Sequence, residues 1–348
     1  MSKKQVTLAD LAKELGISTA TVSRALKNYP DISDETKKRV LALAKRLSYR
    51  PNSLAASLRK QETHIIGVII PEIINHFFSA VIKGIMAVAY EANYRVMLCQ
   101  SDESIEKEIA DAQALLDSRV DGLLISLANG NHDGLHLLDF IRAGTPVVMF
   151  DKVSDNIPNV SKVVVDDYQG AFKAVSHLIE QGCKRIAVFR SPPASTSHNR
   201  FKGYIDAHKK FELPVDKGLI IDCHNSTHEE GYHFAHYMMA QRFPPDGLFS
   251  MADSMAISAM IAIKELGYQI PLDIAICGFS DSHISSIIDP PLSSVSQPAF
   301  EMGQKAMHLL LHEIQAAKNE TTLSPKTIVL NTELHIRAST LSPKSNSN

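Results

Sequence analysis

Cysteine is scarce in this 348-residue chain, and the four present, Cys99, Cys183, Cys223 and Cys277, lie far apart with no CxxC pair. Zinc sites and thioredoxin-like redox motifs use paired cysteines, so neither is expected, and reduced buried thiols are the simpler reading. Long apolar runs are missing too. Nothing approaches the roughly 18–20 residues of a membrane span, and the opening MSKKQVTLADLAK has no apolar signal core. A cytoplasmic, reducing location is the expectation. Phosphate-cradling loops are absent: no GxGxxG follows the first strand-like run, and no GxxxxGK[ST] occurs anywhere. GFSDS, starting at Gly278, lacks the second glycine of a nucleophile elbow. HEEGYH, from His228 to His233, looks like a zinc-protease motif, but its histidines are five apart. That spacing turns them about 140° around a helix, so they cannot share a metal. No catalysis, cofactor or metal is therefore expected.

Net charge is small, −2, which alone argues against a nucleic-acid partner. The average hides a division. Residues 1–60 hold 13 Lys and Arg against 5 Asp and Glu, a net of +8, and the remainder holds 23 basic against 33 acidic, a net of −10. This is the pattern of a basic module on an acidic body, with phosphate as the natural partner of the module.

Three short helices read clearly in that module. Thr7 and Asp10 have capping-box spacing, Leu8, Leu11, Ala12 and Leu15 then repeat at helical period, and Gly16 stops the helix. Ser18 can cap a second helix. Ser33, with Asp34 and Glu35 in the first turn, opens a third with a Val40, Leu43, Ala44, Leu47 stripe. Helix, glycine turn and helix make a helix-turn-helix. On a wheel of the second helix, Val22, Ala25 and Leu26 fall on one side, and Thr19, Ala20, Ser23, Arg24 and Lys27 on the other. Small side chains let a helix approach base edges, hydroxyls bond phosphates or bases, and arginine can bridge guanine O6 and N7. A plain solvated face is the alternative. Exposed helices are usually rich in Glu and Lys, and this one is not.

VTLADLAKELGISTATVSRALKN, followed by SDETKKRVLALAKRLSYRPNSLAASLR, resembles the DNA-binding end of the lactose/galactose repressor family of bacterial transcription regulators. The resemblance implies that Thr19, Ala20 and Arg24 read bases. It places Thr7, Thr21, Ser23 and Lys27 at or beside the DNA backbone, with Ser18 at the start of the same helix. The head is expected to span residues 1–50 and a hinge residues 51–62. Pro51 disfavours helix at Arg50, and Asn52 is a good N-cap for Ser53–Leu58. So short a segment cannot hold a helix by itself. The resemblance implies that two hinges pair and that Leu58 wedges into the minor groove, as apolar wedges do. A passive linker is the alternative, disfavoured by the uncharged, leucine-spaced composition.

From residue 63 to 348, strand-like runs (IIGVIIP, YRVMLCQ, VDGLLISL, PVVMFD, VSKVVVDD, RIAVFR, GLIIDC, DGLFSMAD, DIAICGF) alternate with amphipathic patterns. Such alternation implies doubly wound α/β units with parallel sheets. The runs are too many for one sheet of ordinary size, so two lobes are expected: about 63–165 with 296–328, and about 166–295 with 329–341. The segments IIGVIIPEIINHFFSAVIKGI, GTPVVMFD, SHNRFKGY and PPLSSVSQP continue the family resemblance, and that core is in turn similar to periplasmic sugar-binding proteins.

Ligands of α/β sheets bind at the carboxyl ends of strands. Candidate effector contacts there are Phe77 and Phe78, as faces for a ring, and Asp151 and Asp253, as acceptors for hydroxyls. Arg200 offers a five-donor fork. Core packing is the competing reading for the two aromatics, and a surface ion pair for Arg200. The family often has Gly-Phe/Tyr-Asp late in the core; here the run is Gly278-Phe279-Ser280-Asp281, so the acidic role falls to Ser280 or to Asp281. The expected protein is a DNA-binding regulator, most simply a repressor, controlled by a sugar or sugar derivative held between lobes. A homodimer on a pseudo-palindromic operator is expected, since the tail LSPKSNSN has no leucine heptads for a tetramer. A two-lobe binding protein without DNA function, or an enzyme on the same fold, leaves the +8 head unexplained.

Overall fold

The structure is a computed structural model that describes residues 6–49, 62–131 and 133–341. The expected hinge contacts Asn52 and Leu58 lie outside the described residues. The chain divides into two units, Met1–Thr63 and His64–Asn348.

In the first unit the helices are α1 (Leu8–Leu15), α2 (Thr19–Leu26) and α3 (Asp34–Arg46). Their ends are set by side chains. The Thr7 hydroxyl accepts from the Asp10 amide at 3.3 Å, and the Asp10 carboxylate accepts from the Thr7 amide at 2.8 Å. Gly16 takes φ +67°, the left-handed conformation that ends a helix at little cost only for glycine. Ser18 and Ser33 accept from the amides of Thr21 and Thr36. Leu11, Val22, Ala25, Val40 and Leu43 then close one small core.

The second unit contains two six-stranded sheets. The first has order β11-β5-β4-β3-β1-β2 and is parallel throughout. Its strands are β1 (Ile65–Ile70), β2 (Arg95–Gln100), β3 (Gly122–Ile125), β4 (Val147–Phe150), β5 (Ser161–Val165) and β11 (Thr327–Leu330). The second has order β12-β10-β9-β8-β6-β7: β6 (Ile186–Arg190), β7 (Ile220–Asp222), β8 (Gly247–Ser250), β9 (Ala275–Ser280), β10 (Ser293–Ser296) and β12 (Glu333–His335). Only β12 runs antiparallel to its neighbour. Each lobe is therefore doubly wound, with a switch point beside its first strand.

The chain crosses between lobes three times: after Val165, after Ser296 and after Leu330. The first and third crossings are tied together, for the Asp166 amide donates to the Leu330 carbonyl at 2.9 Å. The last crossing falls two residues later than expected. Val329 and Leu330 still pair with Val164 and Val165 in the first sheet, so they belong to the first lobe and not the second.

Helices α4 (His76–Glu91) and α11 (Ala299–Lys318) cover one face of the first sheet. They approach each other through glycine. A Cβ on Gly84 would overlap the Phe300 carbonyl oxygen, and one on Gly303 would overlap that of Val81. Backbone cannot yield as a side-chain tip can. Gly303→Ala is expected to destabilise the protein by about 1–3 kcal/mol, read as a lower urea midpoint; an unchanged midpoint would show that the two helices can part without cost.

Candidate functional site

The face of α2 that avoids the core is open. Thr19, Ala20, Arg24 and Lys27 are exposed, Thr21 and Ser23 are half-buried, and Val22 and Ala25 are buried. The wheel drawn from the sequence is thus the one adopted, with Leu26 at its edge. Ser18 serves as the N-cap, and its hydroxyl lies 2.8 Å from that of Thr21, so both hydroxyls sit at the positive end of the helix. Thr7 is exposed beside its own capping box. Arg24 forms an ion pair with Asp31, and its Cζ lies 5.6 Å from the Tyr29 ring centroid. A face of small hydroxyls ending in a guanidinium can enter a groove and bond base edges or phosphates.

The carboxyl ends of both sheets converge on a second site. Helix α7 (Asp167–Glu180) starts straight after the first crossing, and α8 (Ser195–Lys210) follows β6. Arg200 on α8 is buried. Its Nε donates to Asp167 at 2.7 Å, its Nη1 donates to the Met251 carbonyl at 2.7 Å, and its Cζ stacks 3.8 Å from the Phe279 ring centroid. One guanidinium thus locks the ends of β8 and β9 to the lobe crossing. Asp151, at the end of β4 with φ +58°, is buried and accepts from the Ser126 hydroxyl at 3.4 Å. Besides the Asp166–Leu330 bond at the crossings, the described residues include bonds between the lobes from Gly130 N to Pro193 O at 2.9 Å and from Val153 N to Ser195 Oγ at 3.1 Å. Ser101 Oγ and Gln297 Nε2, just past the carboxyl ends of β2 and β10, are buried and have no hydrogen-bond partner among the described residues.

Several expected effector contacts are placed differently. Phe77 and Phe78 meet edge-to-face at 5.1 Å within the first lobe's core and are each 6% exposed, so neither presents a ring face. Asp253, the first residue of α10 (Asp253–Glu265), accepts from Ser282 N at 2.7 Å and from the Ser285 and Ser294 hydroxyls at 2.6 Å. It fastens the β9–β10 segment and has little capacity left for a ligand. Asp281 is taken by His335 Nδ1 and Arg337 Nη1, each at 2.7 Å, which secure the strand after the last crossing. Ser280 is left half-exposed at the end of β9. Arg200 forms a buried ion pair, not the surface one weighed from the sequence. HEEGYH opens α9 (His228–Met239), where Thr227 and Glu230 form a capping box and His228 Nδ1 lies 2.6 Å from the Ser258 hydroxyl. A cavity of about 220 Å³, lined by Thr145, Asn159, Glu313 and Leu323 among others, lies at the opposite ends of β4 and β5, away from this chemistry.

Asp167, Ser101 and Gln297 are positions that sequence reasoning missed. Asp167 had a signal, since it follows β5 within VVVDDYQG and opens a helix, the place where an α/β sheet puts ligand groups.

Burial pushes the Asp151 carboxyl up from 3.8 to about 6; neighbouring Lys152 and Arg200 oppose the rise, and Asp167 adds to it. A raised carboxyl stabilises the fold fully below its unfolded value, and this contribution is lost as pH rises through the folded value. Asp151→Asn is therefore expected to match the parent near pH 4 and to exceed it by up to about 3 kcal/mol above pH 6. Urea unfolding across that range checks this; a gap that does not widen between pH 4 and 6 would contradict it.

A helix-turn-helix head with a reading face, and a two-lobe core with buried polar groups at its switch points, define a ligand-responsive DNA-binding protein. Comparison with known proteins sharpens this. Residues 7–52 match bacterial regulatory proteins of the lacI family, and residues 175–340 match a periplasmic binding protein-like domain. The chain is 32% identical over 337 residues to catabolite control protein A of Priestia megaterium, covering 96% of this chain and 99% of that protein. A solved lac repressor dimer bound to operator and the anti-inducer ONPF is similar with TM-score 0.82 at 26% identity, covering 97% of this chain and 100% of that one. A complex of the transcriptional regulator CelR with cellobiose gives 0.72 at 26% identity over 96% and 100%. The chain belongs to the lacI family of bacterial regulatory proteins: it is a DNA-binding transcription regulator with an effector-binding core.

Proposed function

We propose that the protein is a cytoplasmic repressor that binds a pseudo-palindromic operator as a homodimer. In this reading Thr19, Ala20 and Arg24 contact bases, and Thr7, Ser18, Thr21, Ser23 and Lys27 contact or flank the backbone. The observation that carries it is the exposed, small-residue face of α2 ending in Arg24, on a head with net charge +8. A dimer puts two such helices into successive major-groove faces. The solved lac repressor likeness, a dimer on operator, supports this arrangement. Among the described residues no helix is long and apolar enough to cross a membrane.

The effector in this reading is a sugar or sugar derivative between the lobes; the similar transcriptional regulator CelR was solved as a complex with cellobiose. Asp151 and Ser280 would face its hydroxyls, with Gln297 Nε2 and the remaining donors of Arg200 available beside them. Binding there would change how the lobes meet across the three crossings, and so the affinity for operator. The test is selection from a randomised duplex pool by the full-length protein. Two inverted copies of one half-site are expected, and a pool with no enriched sequence would overturn the reading. For the effector, a thermal-shift panel of free sugars is expected to find one that raises the melting temperature and alters operator affinity. A sugar that did the first without the second would separate binding from regulation.

A further inference from the structure

Residues 1–60 contain five acidic side chains in a strongly basic head. Four have plain structural duties. Asp10 closes the capping box on Thr7, Glu14 pairs with Arg46 across α1 and α3, and Asp34 and Glu35 occupy the first turn of α3, where the helix dipole favours anions. Asp31 differs, because its carboxylate pairs with Arg24 on the outward face of α2. The backbone brings it there. Asn28 turns the chain with φ +57°, Tyr29 N donates to Arg24 O at 3.1 Å, and Ile32 N donates to Tyr29 O at 3.3 Å. The Tyr29 ring flanks the same guanidinium at 5.6 Å. The side chains of Arg24 and Asp31 are 52% and 43% exposed, so the pair sits in water and contributes little to folding. Its cost to an incoming phosphate is a different matter.

We propose that Asp31 is a specificity-determining residue of the DNA interface. The inference rests on Arg24 being a base-reading residue. An unpaired arginine is attracted to any phosphate, and that attraction is the sequence-independent part of binding. Asp31 cancels most of this charge locally. It occupies part of a five-donor fork and leaves enough donors for a two-acceptor base edge such as guanine O6 and N7. Loose phosphate contacts are thus weakened while the geometric match to a base is kept. The same pair holds the guanidinium near one orientation before DNA arrives, which favours a planar bidentate partner over a single oxygen.

Asp31→Asn keeps the shape and removes the charge. In the full-length protein it is expected to tighten binding to a scrambled duplex roughly fivefold, while affinity for the operator enriched by the parent changes less than about twofold. The salt slope on the scrambled duplex is expected to steepen by about 0.9 per protomer, about 1.8 for the dimer. The base preference opposite Arg24 in a selected pool is expected to weaken. Asp31→Glu, which keeps the charge, is expected to preserve the parental ratio, and melting temperatures establish that each variant is folded. In Arg24→Ala background, Asp31→Asn is expected to change the ratio no further. Equal tightening on both duplexes, or none on either, would overturn the proposal. If Arg24→Ala keeps the parental preference, the reading of α2 fails; if it loses that preference and Asp31→Asn does not weaken it, only the role of Asp31 fails.

Discussion

Arg200→Ala is expected to lower stability by about 3–5 kcal/mol and to abolish the response to effector. The stability loss comes from what is left behind. Asp167 is 4% exposed and its carboxylate pairs with Arg200, so truncation strands a buried carboxylate. Burial already raises its pKa, and Arg200 is the largest opposing influence. The Met251 carbonyl and the Phe279 ring lose their partner at the same stroke. A double variant, Asp167→Asn with Arg200→Ala, is expected to be more stable than Arg200→Ala alone, because no unpaired charge remains. Urea unfolding of the four proteins in the cycle provides the check. If the double variant loses the sum of the two single losses, the pair is uncoupled and the cleft is not organised around it.

Arg24→Ala has the second large effect, and it falls on DNA alone. Arg24 is exposed and its ion pair with Asp31 lies at the surface, so folding should be nearly unchanged. A bidentate arginine–guanine contact is worth about 1–3 kcal/mol of discrimination. A symmetric dimer makes it twice, so operator preference should fall by roughly 30-fold to about 20,000-fold. Binding of an effector sugar, measured by thermal shift, should stay at the parental level. Loss of operator preference and effector binding together would mean that the substitution damaged the whole protein.

The reading face was legible because its signal is local. One glycine, one serine cap and an eight-residue pattern determine which side of α2 faces out, and no distant residue is needed. The two lobes were legible for a similar reason, since nine apolar runs announce buried parallel strands. The strands β10, β11 and β12 left weaker marks. SSVS has one large apolar residue, and TIVL and ELH are four and three residues long. Their place in the sheets is decided by neighbours distant in sequence, and so was the position of the last crossing. The cleft was the least legible part. Asp253 and Asp281 have the chemistry of ligand contacts, yet each spends its acceptors on its own lobe. Phe77 and Phe78 were open to a core reading from the start, and packing decided for it. Only three-dimensional neighbours can tell a carboxylate that holds a loop from one that awaits a hydroxyl.

Sequence-dependent DNA binding through the basic head separates this protein from a two-lobe binding protein without DNA function. The most direct measurement is binding of the full-length protein to its selected operator and to a scrambled duplex of the same composition, over a series of salt concentrations. Affinity for both is expected to fall linearly on a log–log plot, with the operator bound at least about 10³-fold more tightly at physiological salt. Equal affinity for the two duplexes at every salt concentration would contradict it.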